Sequence, residues 1–403
     1  MQNLIGLHGR LFAERQPGPD ETVFQTDNTS ARYYKSRYYL LHKDQLQPVP
    51  TPLINPPRMD LAYIIGDDAI EAITAAQRVV FHAVGDTGAA KKSGPATEAS
   101  VADMMAKDVQ ARDEADTPSF FFHLGDVVYN FGEGRYYYDQ FYEPFRAYDR
   151  PIFAIPGNHD GVVFGDSPDT PDTPTLQAFL RNFCAVKPEP SPDAGGLVRS
   201  VMTQPGVYFT LDAPFVSIIG LYSNVLEGPG VISSQGGAYP IGEEQLNFLK
   251  VELARLKPLR EAGQRAVIIA VHHPPVSVDS KHGGTTGLSQ DIDAACREAG
   301  LWPDAVLSGH AHLYQRFTRR VDGREIPYIV SGSGGFSATV PKEGVPSAPL
   351  TVGDHTLEKD PIIDFGYLTV TADAKTLSIA FRSPNPKVGP DEVSVALTTN
   401  GVV

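Results

Sequence analysis

From Arg78 onward, short apolar runs alternate with stretches whose apolar residues recur every three or four positions. That alternation predicts a layered α/β fold, since strands buried on both faces read as continuous apolar runs while helices show one apolar side. Val79–Val84, Phe120–Leu124 and Ile152–Ile155 predict three strands, and Val101, Met105 and Val109 predict a helix between the first two. Leu176, Phe179, Leu180 and Phe183 give a second helical face. Val207–Leu211 and Phe215–Leu221 read as strands about a turn at Asp212–Pro214. A helix should open at Glu243-Glu244, where acids suit its amino end, with Leu246, Leu249, Leu253 and Leu256 on one side. Val267–Val271, Ala305–Leu307 and Tyr328–Val330 complete the central strands. Near the carboxyl end, Leu368, Val370 and Ala372 alternate with Thr369 and Thr371; Leu377, Ile379 and Phe381 alternate after Asp373–Lys375, which predicts a hairpin.

Residues 1–77 lack this pattern. They carry the cluster Tyr33-Tyr34-Lys35-Ser36-Arg37-Tyr38-Tyr39 and a Pro-rich stretch from Gln47 to Pro57. We expect an amino-terminal extension packed on a catalytic domain of residues 78–403, its cluster being either an ordered cap or a protein interface. Among 403 residues, 41% are hydrophobic and 20% charged, which describes a globular chain with a sizeable core. The 37 glycines and 34 prolines predict long ordered loops. A formal net charge of -14 argues against a nucleic-acid duplex or an anionic membrane as partner, since both need clustered Lys and Arg. No apolar run reaches the roughly 20 residues of a membrane span, and no secretory leader is seen, so a cytoplasmic location is the default expectation, with a mature secreted form as the alternative. Cys184 and Cys296 fall in segments that read as helices, and two reduced buried thiols are expected.

Five predicted strands end in a polar block: Gly85-Asp86-Thr87-Gly88, Gly125-Asp126-Val127-Val128-Tyr129, Gly157-Asn158-His159-Asp160, His272-His273-Pro274-Pro275 and Gly309-His310-Ala311-His312. Strand carboxyl ends are where α/β proteins place ligands, and glycine lets the backbone turn there. Carboxylates, imidazoles and an amide oxygen together suit iron, zinc or manganese better than calcium. Adjacent strand residues point to opposite faces, so only one of His272 and His273 should reach a shared ion. Gly332-Ser333-Gly334-Gly335, with no following helix or Lys, reads as a close-packed turn beneath the site, not a phosphate cradle. Tyr314 and Gln315 either line the pocket or pack. His82 and His123 read as satisfied core residues; His8, His42 and His355 join no constellation.

The ordered blocks, over residues 78 to about 382, resemble the calcineurin-like metallophosphoesterases. The generic family has Asp-x-His in its first block, where this chain has Gly88; Tyr129 instead follows Asp126 by three residues, similar to the purple acid phosphatase branch. The resemblance implies a four-layer αββα sandwich, with two mixed sheets flanked by helices and a dimetal site at the strand carboxyl ends. It implies that Asp86, Tyr129 and His312 hold one ion, that Asn158, His272 and His310 hold the other, and that Asp126 bridges them. The ions expected are Fe(III) with Fe(II), Zn(II) or Mn(II), since a phenol ligates only when a strong Lewis acid displaces its proton. His159 and His282 are expected beside the ester as catalytic groups, with Asp160 orienting the His159 ring. The implied activity is hydrolysis of small phosphate monoesters by in-line attack of a metal-held hydroxide. A diesterase at the same site is the alternative, and a non-catalytic scaffold a more distant one. The loops 162–206, 222–242 and 276–289 carry no readable substrate code, and the oligomeric state is not legible.

Overall fold

The computed structural model describes residues 24–26, 46–89, 94–110, 116–129, 131–163, 174–226, 230–234 and 240–403. The Tyr33–Tyr39 cluster, His8, His42 and residues 166–173 lie outside the described residues.

Two mixed sheets lie face to face. One runs in the order β18 (Gly401–Val402), β17 (Asp391–Ala396), β16 (Thr376–Arg382), β15 (Tyr367–Asp373), β3 (Arg78–Val84), β4 (Phe121–His123), β5 (Ile152–Ala154). Its last three strands are parallel and the others antiparallel. The other runs β13 (Leu350–Val352), β14 (His355–Leu357), β11 (Tyr314–Val321), β12 (Arg324–Ser331), β10 (Ala305–Ser308), β8 (Arg265–Val271), β7 (Phe215–Leu221), β6 (Phe209–Ala213), β2 (Arg58–Asp60). Here β12, β10, β8 and β7 form the parallel block. A short parallel pair joins β1 (Gln25–Thr26) to β9 (Gly284–Thr285).

Alternate residues of each strand face opposite layers, as the two-residue period requires. Phe81, Phe122, Ile155, Ile218, Ile268, Leu307 and Ile329 fill the space between the sheets. Val84, Phe121, Ile219 and Leu221 point outward into a second apolar cluster. There Val101, Met105 and Val109 of the helix Gly94–Val109 contribute to the cover of one sheet, and Leu249, Leu253 and Leu256 of the helix Glu244–Glu261 cover the other. The four-layer αββα arrangement is therefore present, with helices on both outer faces.

Several expectations shift. The described part of residues 1–77 is woven into the body, because β2 pairs in parallel with β6 and Arg58 bonds Glu252 of the outer helix. Strand β11 escaped the apolar pattern because Arg316, Arg319 and Arg320 interrupt it. Arg316 and Arg319 pair with Asp391 and Asp293 from other elements, and Arg320 with Glu325 directly opposite it on β12. Tyr314 packs between the sheets, stacked on Phe381, with its hydroxyl donating to Asp391. Cys184 sits just past the helix Gln177–Phe183, not within it, and both cysteines are buried free thiols.

Phe122, 1% exposed between the sheets, stands three residues before Gly125 and the polar block. Phe122→Ala should cost about 3–5 kcal/mol of stability through the cavity it leaves, read as a lower urea midpoint at unchanged slope.

Candidate metal centre

The parallel strands deliver their polar blocks to one place. Asp86 follows β3, Asp126 follows β4, Asn158 follows β5, His272 follows β8 and His310 follows β10. Hydrogen bonds between the strand ends knit these loops together: Asp86 N–H donates to Gly125 O (2.9 Å), Gly85 N–H to Ser331 O (3.0 Å) and Gly309 N–H to His272 O (3.0 Å). The packing is tight enough to dictate two glycines. A Cβ on Gly309 would lie 2.6 Å from Asp86 Oδ2, and one on Gly157 would overlap Asp126 Oδ1. Asp86, Asp126 and His310 each take left-handed backbone, at φ 60°, 55° and 67°. Side chains rarely accept that conformation, and it persists where the surroundings over-determine it.

Asp126, His272 and His310 form one buried cluster with potential ligand atoms within 4.8 Å of one another. Asp126 Oδ1 accepts from the His159 backbone N–H (2.9 Å), whereas Oδ2 has no hydrogen-bond partner among the described residues and faces His272 Nε2 at 3.3 Å. His272 Nδ1 lies 2.8 Å from Leu124 O, so a proton on Nδ1 is held there and Nε2 is the nitrogen turned inward, toward Asp126. Asn158 Oδ1 lies 3.2 Å from His272 Nε2 and 3.1 Å from His310 Nδ1, and His310 Nε2 is buried without a hydrogen-bond partner among the described residues.

A second group adjoins this one. Tyr129 Oη donates to Asp86 Oδ1 (2.8 Å), and His312 Nε2 stands 3.3 Å from both Tyr129 Oη and that carboxylate. Gln140 holds the Tyr129 backbone by accepting from its N–H (2.7 Å) and donating to its carbonyl.

The catalytic candidates flank these groups. The His159 ring lies 4.3 Å from the Tyr129 ring, and the His282 ring 4.2 Å from that of His310. With His312 they retain only 5–6% exposure. Asp160 does something the sequence did not suggest. Its Oδ1 accepts from the backbone N–H of Val127 (2.9 Å) and Val128 (3.2 Å), and its Oδ2 from that of Gly157 (2.8 Å). Both oxygens thus staple two loops together. The His273 ring packs against His310, centroids 4.2 Å apart, but both of its nitrogens are engaged elsewhere, by Ser223 Oγ and Leu226 O at 2.7 Å each. His123 supports the turn from beneath, accepting from Gly125 N–H and meeting Thr87 Oγ1.

Two further residues had no signal in the sequence pattern. Asp279 lies 3.0 Å from His282 Nδ1 and also accepts from the backbone N–H of Lys281, His282 and Gly283. Its loop is held by Gln315, which accepts from Val278 N–H and donates to Ser277 Oγ. Phe336 lies flat on Tyr129, centroids 3.6 Å apart and planes 3° from parallel.

Buried charge shapes the protonation states. Burial would lower the His272 pKa, but the Asp126 carboxylate beside it lifts it to about 9. Burial, with its imidazole neighbours, holds His310 well below the ordinary histidine value. Burial and then the Asp126 and Asp86 charges push the Tyr129 phenol well above its usual value. Two orphaned ligand atoms, inward nitrogens on imidazoles and a phenol that needs a nearby cation to ionise fit a bound metal.

A family model described as calcineurin-like phosphoesterase matches residues 80–314. Among solved structures, the chain is similar to a purple acid phosphatase from yellow lupin (Lupinus luteus) seeds at 15% identity and a TM-score of 0.53, covering 79% of this chain and 54% of that one. It is similar to GAP50, the anchor in the inner membrane complex of Plasmodium, at 12% identity and a TM-score of 0.53, covering 78% and 88%. Likeness at these identities speaks for the fold alone, and the chain spans about half the length of the lupin protein. No curated protein sequence matches. No helix among the described residues is long and apolar enough to cross a membrane.

The Asp160 staple has a measurable consequence. Asp160→Ala leaves three buried N–H donors without an acceptor and should cost about 2–4 kcal/mol in urea unfolding of the metal-free protein; a loss under about 1 kcal/mol would show that the staple does not hold the loops.

Proposed function

We infer, for a chain that belongs to the calcineurin-like phosphoesterase family and is on that footing a metal-dependent phosphoester hydrolase, that it cleaves small phosphate monoesters at a dinuclear centre. Asp86, Tyr129 and His312 would hold one ion, Asn158, His272 and His310 the other, with Asp126 between them. The observation that carries this reading is the buried pair Asp126 Oδ2 and His310 Nε2 at the meeting point of the strand ends, neither of which has a hydrogen-bond partner among the described residues. The phenol among the donors supports Fe(III) with Fe(II), Zn(II) or Mn(II).

When bound, such ions supply Lewis acidity toward phosphoryl oxygens and acidify a water. The chain's own residues do the rest. The His159 N–H pins one Asp126 oxygen and leaves the other facing His272 Nε2. Leu124 O fixes the His272 ring with Nε2 inward. His159 and His282, which edge the centre, face the charge that gathers on the phosphoryl group. Asp279 holds His282 by Nδ1, so Nε2 is the atom from which a proton can pass to the departing alkoxide.

A scaffold reading draws on the Plasmodium neighbour, described as an anchor. Against it, ligand-type side chains from all five blocks stand together here. A diesterase would use the same centre, and paired kinetics on an aryl monophosphate and its bis-aryl diester separate the two. Monoester turnover should exceed diester turnover, and the reverse ratio would overturn the monoesterase reading.

Two predictions test the assignments. Asp126→Ala should lose both ions together, whereas His159→Ala should keep its metal and lose about a hundredfold or more in kcat, checked by metal analysis beside kinetics. Metal affinity should also rise with pH. With its pKa raised to about 9, His272 carries a proton at neutral pH that an incoming ion must displace. The gain should be about one decade per pH unit from pH 6 toward 9 for that proton, steeper if the Tyr129 proton leaves as well. A flat profile would contradict ligation by His272.

A further inference from the structure

We propose that Phe336 and Ser337 are positioning residues for one half of the centre, setting the affinity of the Asp86–Tyr129–His312 half-site without setting that of the other. The proposal rests on the dinuclear reading above. Its basis is that two consecutive residues touch all three side chains or backbones of that half-site.

The Phe336 backbone N–H donates to Asp86 O at 3.1 Å. Its ring stacks face to face on Tyr129 at 3.6 Å and meets the His312 ring edge-on, centroids 5.2 Å apart at 83°. Ser337 Oγ lies 2.9 Å from His312 Nδ1. A proton on Nδ1 shared with Ser337 leaves the Nε2 lone pair directed at Asp86 and Tyr129, which is how an outer hydrogen bond fixes a ligating imidazole. Two residues on, the Thr339 N–H donates to His312 O at 2.9 Å, so both ends of that histidine are held by one segment.

The segment is itself anchored. Gly334 N–H donates to Gly85 O (3.1 Å), and Thr97 Oγ1 of the helix Gly94–Val109 donates to Gly335 O (2.6 Å). The other half-site takes its supports elsewhere: His272 is fixed by Leu124 O, and His310 Nδ1 faces Asn158 Oδ1. Tyr129 lies between Phe336 and His159, whose ring is 4.3 Å away, so the stack also limits where the phenol can swing. A ring held in one plane gives up little freedom when its oxygen ligates, and a ring left free must be ordered by the ion itself.

Phe336 and Ser337 are only partly buried, so replacing either should not unfold the chain. The test is chelator competition on the full chain loaded with Zn(II) and, separately, with iron, with circular dichroism as the folding control. Phe336→Leu removes the stack and keeps an apolar side chain; Ser337→Ala removes the hydroxyl. Each should weaken one of the two ions about ten- to hundredfold and leave the other within about threefold of wild type. In the iron form the phenolate band should shift or fade. Phe336→Tyr and Ser337→Thr, which keep the stack and the hydroxyl, should restore both. Equal weakening of the two ions, no weakening, or a Phe336→Tyr protein that behaves like Phe336→Leu would overturn the proposal. A wild-type protein that never takes up two ions would overturn the dinuclear reading and this inference with it, and it is recognised before any variant is made.

Discussion

The centre depends on how closely the loops after β3, β4, β5 and β10 approach one another. Asp126 Oδ1 occupies the space a side chain at residue 157 would need, and Asp86 Oδ2 does the same at residue 309. Such contact is possible only because the strands beneath are locked in parallel register by two shared apolar layers. Three non-glycine residues, Asp86, Asp126 and His310, are held in left-handed backbone at the same place. Each such residue costs on the order of 1–3 kcal/mol, which the surrounding ladder and core offset.

That convergence brings an electrostatic problem with it. Asp86, Asp126, Asp160 and Asp279 are all buried within one small region, together with several imidazoles. Two of these acids are satisfied by backbone: Asp160 by three N–H groups and Asp279 by three more plus His282. Asp86 has Tyr129 Oη and the His310 N–H. Asp126 alone keeps an oxygen without a hydrogen-bond partner among the described residues, and it is the acid that the centre surrounds. That oxygen faces His272 Nε2 at 3.3 Å, and an arriving cation would take the place of the proton the two groups now hold between them.

Much of this is legible in the amino-acid sequence. A glycine and a ligand-type side chain directly after a buried apolar run is a local signal, and all five such blocks meet in space. The residues that hold them were not legible, for physical reasons. Asp160 and Asp279 act on backbone N–H groups, which every sequence possesses. Phe336 acts by stacking, and an aromatic after a glycine-rich turn looks like ordinary packing. Strand β11 was hidden because Arg316 and Arg319 find acids far away in the chain, and β2 because three residues are too few to show a period.

Anomalous diffraction from crystals of the metal-loaded protein, recorded at the absorption edges of the ions present, tests the central claim most directly. The account predicts two peaks about 3.5–4 Å apart, both within bonding distance of Asp126, with Tyr129 and His312 at one and His272 and His310 at the other. A single peak, or two peaks with Asp126 bound to neither, would contradict it.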